Sequence, residues 1–170
     1  MSNVEMLTSE GNTLTLLGSE MANVFLFFRP DQEYSKTALK EIAYLERELA
    51  GKSVRWVTIV SDRYSREDVQ AVVEKAGLDL PILIDAGDTL RGKLRVILHP
   101  VVGITDQDHV LKVYQNFRKV NFTNILRAQI LHVLGEISEA ELDKTLNPPR
   151  AEESVPPRCP TTMNPSCHPV

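Results

Sequence analysis

The chain has 170 residues, of which 42% are apolar and 25% are charged, and its net charge is −4. This is enough apolar material for one core, so we expect a single folded domain. The acidic, mixed charge excludes the basic surface of a nucleic-acid-binding protein, and no apolar run is long enough to span a membrane. Residues 1–20 lack a basic start and a long apolar stretch. The predicted location is therefore cytoplasmic, or periplasmic if a leader precedes the sequence.

The first part of the sequence contains a buried strand followed by a helix. Residues 1–13 are polar and are predicted to be flexible, and residues 14–17 are predicted to form a short edge strand. The five apolar residues 24–28 indicate a strand buried on both faces, and from Ser35 onward apolar residues recur at helical spacing. The polar turn between them, residues 29–34, therefore lies at the carboxyl end of a central strand and at a helix N-terminus. Open sheets place ligands at such positions.

Strands and helices continue to alternate along the rest of the sequence. Residues 54–60 are rich in β-branched side chains and indicate a second buried strand, and Ser65 begins a helix that Gly77 ends. The further predicted elements are a strand at residues 81–85, a short helix through Leu94, a hairpin of residues 101–105 and 110–114, a helix capped by Asn121, and a small helix from Ser138 to Leu146. The order βαβαββα predicts an α/β fold with a central mixed β-sheet flanked by helices.

Two segments resemble a known family. Residues 27–35 read Phe-Phe-Arg-Pro-Asp-Gln-Glu-Tyr-Ser. They are similar to the Phe-Trp-x-x-x-Cys-x-x-Cys segment of thioredoxin-like proteins, in the branch of thiol:disulfide interchange proteins and alkyl hydroperoxide reductases. In that alignment Gln32 and Ser35 occupy the two cysteine positions, and neither side chain can form a disulfide. The resemblance implies a thioredoxin-like domain over residues 14–146 that has lost the redox motif of its family.

The second similar segment runs from residue 76 through the predicted hairpin. In it, Pro100 falls on the cis-proline position of the family, and His99 directly precedes it. In the family this loop lies beside the active-site turn and lets an extended ligand pair with it like an added strand. The resemblance therefore implies a domain that binds an extended peptide or a partner protein, with no cofactor and no bound metal. The candidate binding residues are Arg29, Pro30, Asp31, Gln32, Tyr34, Ser35, His99 and Pro100.

Several of these residues have more than one interpretation. The hydroxyl of Ser35 could hold a thiolate, a carboxylate or a phosphate, or Ser35 could simply cap the helix. His99 could be a ligand or proton carrier, or could pack locally. A peroxidase is excluded, because a Pro-x-x-x-Thr/Ser-x-x-Cys signature starting at Pro30 would place Tyr34 at the threonine and Thr37 at the reactive cysteine.

The last part of the sequence, residues 147–170, contains seven prolines and is predicted to be a flexible tail. It holds both cysteines of the chain, Cys159 and Cys167, followed by His168. A disulfide between the cysteines, a metal or haem site and incidental thiols remain open, although zinc sites use four ligands and only three are present. The alternative function is therefore a thiol-disulfide oxidoreductase or antioxidant protein that uses the tail cysteines.

Overall fold

In the computed structural model, which describes residues 1–148, the chain forms seven β-strands and five α-helices. The strands are β1 (Glu5–Thr8), β2 (Thr13–Thr15), β3 (Ala22–Phe27), β4 (Val54–Ser61), β5 (Ile82–Asp85), β6 (Val101–Asp106) and β7 (Leu111–Asn116). The helices are α1 (Glu33–Glu48), α2 (Arg66–Lys75), α3 (Thr89–Lys93), α4 (Phe122–Val133) and α5 (Glu139–Leu146). All seven strands belong to one mixed sheet, in the order β2-β1-β5-β4-β3-β6-β7.

The register of the sheet determines which loops meet. Strands β3, β4 and β5 are parallel, so their carboxyl ends lie at the same edge of the sheet. Strand β6 runs antiparallel to β3, and Val101 at its start pairs with Phe27 at the end of β3. The turn after β3 and the residues before β6 therefore lie side by side. The loops after β4 and β5 are at this same edge.

Strand β3 separates two hydrophobic cores. Every residue of β3 is buried, and side chains alternate between its faces. Val24 and Leu26, with Phe28 beyond the strand, pack in the core that also holds side chains of α1, α2 and α4. Phe25 and Phe27 pack on the opposite face, with side chains from the N-terminal segment and α3. The sheet is thus covered on both faces, which explains the continuous apolar run in the sequence.

Gly103 in the middle of β6 makes room for the ring of Phe25. A Cβ atom at Gly103 would lie 2.1 Å from Cζ of that ring, far inside van der Waals contact. Strand glycines often mark such close approaches. The glycine is therefore required here by packing on the second core, not by a turn.

The structure confirms the predicted fold class and element order, with two local differences. Strand β1 lies inside residues 1–13, which were predicted to be flexible; its Leu7 pairs with Ile84 of β5. Met6 and Thr8 are buried, whereas Glu5 and Leu7 are exposed. Because the polar Thr8 is buried and the apolar Leu7 is exposed, the hydropathy of this segment does not indicate a strand. The predicted edge strand at residues 14–17 is also shifted to Thr13–Thr15.

Among residues 1–148, no helix is both long enough and apolar enough to cross a bilayer. The predictions for the tail, including a disulfide between Cys159 and Cys167 and a site involving His168, lie outside the described residues.

Candidate functional site

The turn between β3 and α1 is held by a hydrogen bond to Ser35. This side chain is fully buried in the first turn of α1, and its Oγ accepts from the backbone N–H of Arg29 at 3.0 Å. The N-cap position is occupied by Gln32, whose side chain makes no capping bond. Ser35 is therefore not the cap of the helix. Its hydroxyl fixes the path of the chain out of β3.

Gln32 is the N-cap residue of α1, three residues before Ser35. Its backbone oxygen accepts from the N–H of Lys36 at 3.1 Å, which closes the first helical turn. Its side-chain Oε1 is buried and has no hydrogen-bond partner among the described residues. Neither Gln32 nor Ser35 therefore presents a nucleophile, since an amide is unreactive and the serine oxygen is buried and bonded.

Arg29 is oriented by two partners, Asp31 and Tyr64. Its guanidinium donates from Nε to Asp31 Oδ1 at 3.1 Å and from Nη2 to Asp31 Oδ2 at 2.7 Å. The hydroxyl of Tyr64 accepts from Arg29 Nε at 2.9 Å and donates to Asp31 Oδ1 at 3.2 Å. The hydrogen bond from Arg29 holds the pKa of Asp31 below its usual value. The side chains of Arg29 and Asp31 stay partly exposed. The hydrogen bonds among Arg29, Asp31 and Tyr64 therefore fix the position of the guanidinium at the surface and add little stability.

The loop before β6 lies beside the start of α1. The His99–Pro100 peptide bond is cis, and Pro100 is buried. The oxygen of Pro100 accepts from the backbone N–H of Phe117 at 3.0 Å, and the ring of Phe117 lies 6.3 Å from that of Tyr34, centre to centre. These contacts place the turn at residues 29–35 and the loop at residues 97–100 next to each other. We call the surface that they share the groove.

The wall of the groove before Pro100 is apolar and has free backbone groups. The side chain of Ile97 is 82% exposed and that of Leu98 is 61% exposed. Within residues 1–148, no hydrogen bond is formed by the backbone N–H and C=O groups of Ile97, Leu98 and His99. Tyr34, which is 57% exposed, adds an aromatic surface at the start of α1. An open main-chain edge flanked by exposed apolar side chains can accept an added strand.

A small cavity of about 50 Å³ adjoins the groove at His99. It is lined by the ends of β3, β4 and β5 and the start of α3, and three arginines contribute to its wall; we call it the arginine pocket. Its polar lining residues are Arg29, Ser61, Arg63, Tyr64, Asp85, Asp88, Arg91 and His99. Burial, followed by the positive charges of Arg91 and Arg29, lowers the pKa of the half-buried His99 to about 4. The imidazole is therefore neutral at pH 7.

The structure brings the predicted residues of the turn together with His99 and Pro100. Sequence reasoning missed Arg63, Tyr64, Asp88 and Arg91, which also belong to this end of the sheet. A signal was available: residues 61–64 follow β4 and residues 85–88 follow β5, and the carboxyl ends of parallel strands meet at one edge. The predicted residues Cys159 and Cys167 lie outside the described part of the chain.

No protein-family model matches the sequence, and no curated protein matches it either. Solved structures do match. A secreted disulfide oxidoreductase from Mycobacterium tuberculosis, described as homologous to E. coli DsbE, is 17% identical with a TM-score of 0.66, over 76% of this chain and 95% of that one. A thioredoxin-family thiol:disulfide interchange protein from Chlorobium tepidum is 12% identical with a TM-score of 0.66, over 78% and 94%. An uncharacterised conserved protein from Geobacillus kaustophilus is 22% identical with a TM-score of 0.69, over 81% and 82%.

These similarities extend over most of each chain. The chain therefore has a thioredoxin-like fold, as the resemblance of residues 27–35 and of the loop around Pro100 implies. At such low sequence identities the similarity establishes the fold alone.

Proposed function

We propose that this chain is a thioredoxin-like domain that binds an extended segment of a partner protein in the groove and carries out no thiol–disulfide exchange there. The observation that carries the proposal is the pair Gln32 and Ser35 at the start of α1. Residues 1–148 contain no cysteine, so the described fold holds no thiol that could attack a disulfide. The side chain of Ser35 is fully buried, and its Oγ accepts from the N–H of Arg29, so the hydroxyl does not face the groove as a free group.

Binding of an extended segment is supported by the loop before β6. The backbone groups of residues 97–99 are unpaired within the described chain, and they border a surface formed by Ile97, Leu98 and Tyr34. An extended segment would pair with this edge through main-chain hydrogen bonds and place alternate side chains against the apolar surface. Main-chain pairing supplies affinity without a fixed sequence, and the neighbouring side chains supply selectivity.

The alternative is an oxidoreductase that uses Cys159 or Cys167. It is compatible with the fold, since two of the similar structures are described as a disulfide oxidoreductase and a thiol:disulfide interchange protein. The secreted location of the first of these supports the periplasmic alternative to the predicted cytoplasmic location. A thiol in a tail of the flexible kind that the sequence predicts would keep an ordinary pKa, however, which disfavours rapid exchange.

An insulin-reduction assay with dithiothreitol separates the two functions. The intact chain and a full-length variant with Cys159→Ser and Cys167→Ser are compared with a reaction that contains no protein. We expect no rate above background for either chain. Activity in the intact chain that is absent from the double variant would assign the chemistry to the tail cysteines and contradict the proposal.

Binding is tested with reduced, carboxymethylated insulin B chain, which is an extended polypeptide without reactive thiols. We expect Leu98→Ser to weaken binding about fivefold, because a partly buried leucine contributes about 1 kcal/mol to a contact. Val110→Ser is the matched control: Val110 is 49% exposed and lies in the β6–β7 turn, at the opposite end of the sheet. Equal binding by the two variants would show that the groove is not the site.

A further inference from the structure

The arginine pocket collects three guanidinium groups from separate segments of the chain. Arg29 follows β3, Arg63 follows β4 and Arg91 lies in α3, so only the folded sheet brings them together. Asp88 pairs with Arg63 and with Arg91, to which it lies at 3.2 Å. Asp31 pairs with Arg29. Asp85 also lines the pocket, so three carboxylates accompany the three arginines.

The hydrogen-bonding capacity of these arginines is only partly used. Within residues 1–148, Nη1 of Arg29, Nη1 of Arg63 and Nη2 of Arg91 have no hydrogen-bond partner. The remaining carboxylate of the lining, Asp85, accepts from the backbone N–H groups of Leu90 and Arg91 at 2.8 Å each. Each oxygen of Asp85 therefore has a partner, whereas Oδ1 of Asp88 is buried without one among the described residues. The three unpaired guanidinium nitrogens outnumber this one unpaired acceptor.

We propose that the arginine pocket binds a carboxylate carried by the extended segment that lies in the groove, either an acidic side chain or a chain terminus. This inference rests on the proposed function, because the groove supplies the path of the segment. His99 belongs to both surfaces, so a side chain beside residues 97–99 is within reach of the pocket. Guanidinium groups are the side chains best matched to carboxylate oxygens.

The size of the pocket and its unpaired guanidinium nitrogens favour a carboxylate over other groups. A volume of about 50 Å³ holds a group not much larger than one or two water molecules, which have about 30 Å³ each in the liquid. The arginines also outweigh Asp88 in their effect on the neutral His99, whose pKa they help to lower. A bound carboxylate would accept charge-assisted hydrogen bonds from the unpaired guanidinium nitrogens. An uncharged carboxamide would meet the same donors with weaker hydrogen bonds.

The test uses the intact chain and fluorescein-labelled peptides of sequence Ala-Val-Ala-Glu-Ala-Val-Ala with an amidated end. Companion peptides carry Gln in place of Glu, with either an amidated or a free carboxyl end. Fluorescence anisotropy gives each dissociation constant at one salt concentration. We expect the peptide with Glu, the peptide with a free end, or both to bind about tenfold more tightly than the amidated Gln peptide.

Two arginine variants show whether the preference comes from the pocket. Arg63→Gln should reduce the preference for a carboxylate to below about threefold, because one guanidinium of the pocket is lost. Arg47→Gln removes the same charge near the other end of α1, about 20 Å along the helix axis, where Arg47 donates to the oxygen of Gly77, and should leave the preference intact. Equal binding of all peptides by the intact chain, or a preference that survives Arg63→Gln, would overturn the proposal.

A second measurement judges the pocket if no peptide binds, a result that would contradict the proposed function of the groove. Acetate is titrated into the intact chain while the ring signals of His99 are followed by NMR, with acetamide as the uncharged control. A bound carboxylate should raise the pKa of His99, since an opposite charge nearby favours the protonated ring. No difference between acetate and acetamide would overturn the carboxylate pocket independently of any peptide.

Discussion

Replacement of Ser35 by alanine tests whether this residue has a structural role. Its Oγ accepts from the N–H of Arg29 at 3.0 Å, and the side chain is fully buried. Ser35→Ala leaves that donor without a partner, which costs about 1–2 kcal/mol for a partly buried amide. Alanine recovers about 0.5 kcal/mol through its higher helix propensity. We therefore expect a net loss of about 1 kcal/mol in the free energy of unfolding, or about 2–4 °C in Tm.

The assay is urea unfolding followed by circular dichroism, with Thr37→Ala as the control in the same helix. Thr37 is exposed, and its hydroxyl only donates to the oxygen of Glu33, so this variant should be as stable as the unaltered chain. A stability of Ser35→Ala equal to that of the control, together with lost binding of the insulin B chain, would refute the reasoning. It would instead make the hydroxyl of Ser35 part of the ligand site.

Two further predictions concern the second core and the groove. Gly103→Ala should lower the free energy of unfolding by about 1–3 kcal/mol, because the new Cβ would collide with the ring of Phe25. Gly92→Ala is the control, since a Cβ at Gly92 meets no atom within 4 Å. Equal unfolding midpoints of the two variants in urea would contradict the packing argument. The pKa of His99 is lowered from 6.5 to about 4 in the folded chain, so the unfolded chain binds more protons between these values and stability is lost as the pH falls through this window. After a discount for its partly exposed ring, His99 accounts for about 1–2 kcal/mol of this loss, and His99→Gln should flatten the dependence of the free energy of unfolding on pH by that amount. An unchanged slope would contradict the assignment.

The central strand and the helix after it could be predicted from the sequence because the pattern that indicates each lies within one continuous segment. The apolar run that forms β3 and the helical period that follows Ser35 each lie within one segment. Strand β1 was missed because its burial depends on pairing with β5, far along the chain, and because Leu7 is exposed while Thr8 is buried. No pattern within residues 1–13 indicates that this segment pairs with β5.

The same distinction applies to the site. The turn at residues 29–35 and the loop at His99 could be predicted as a candidate site because each resembles a contiguous motif. The arginine pocket could not, because Arg63, Asp88 and Arg91 have ordinary local surroundings in the sequence and acquire their relation only in the folded sheet. The detailed position of Ser35 was also beyond the sequence: a serine near a helix start predicts a cap, whereas the structure uses it as an acceptor for the N–H of Arg29.

The place of β1 in the sheet has a consequence for folding during synthesis. Strand β1 leaves the ribosome before the other strands of the sheet, yet both of its neighbours, β2 and β5, must be present before it is enclosed, and β5 follows β3 and β4 in the chain. Contacts between distant segments form slowly because a long loop must close first. Until β5 emerges, the side of Met6 that packs in the second core remains uncovered. The segment of β1 therefore remains open to a chaperone while the rest of the domain is still being translated.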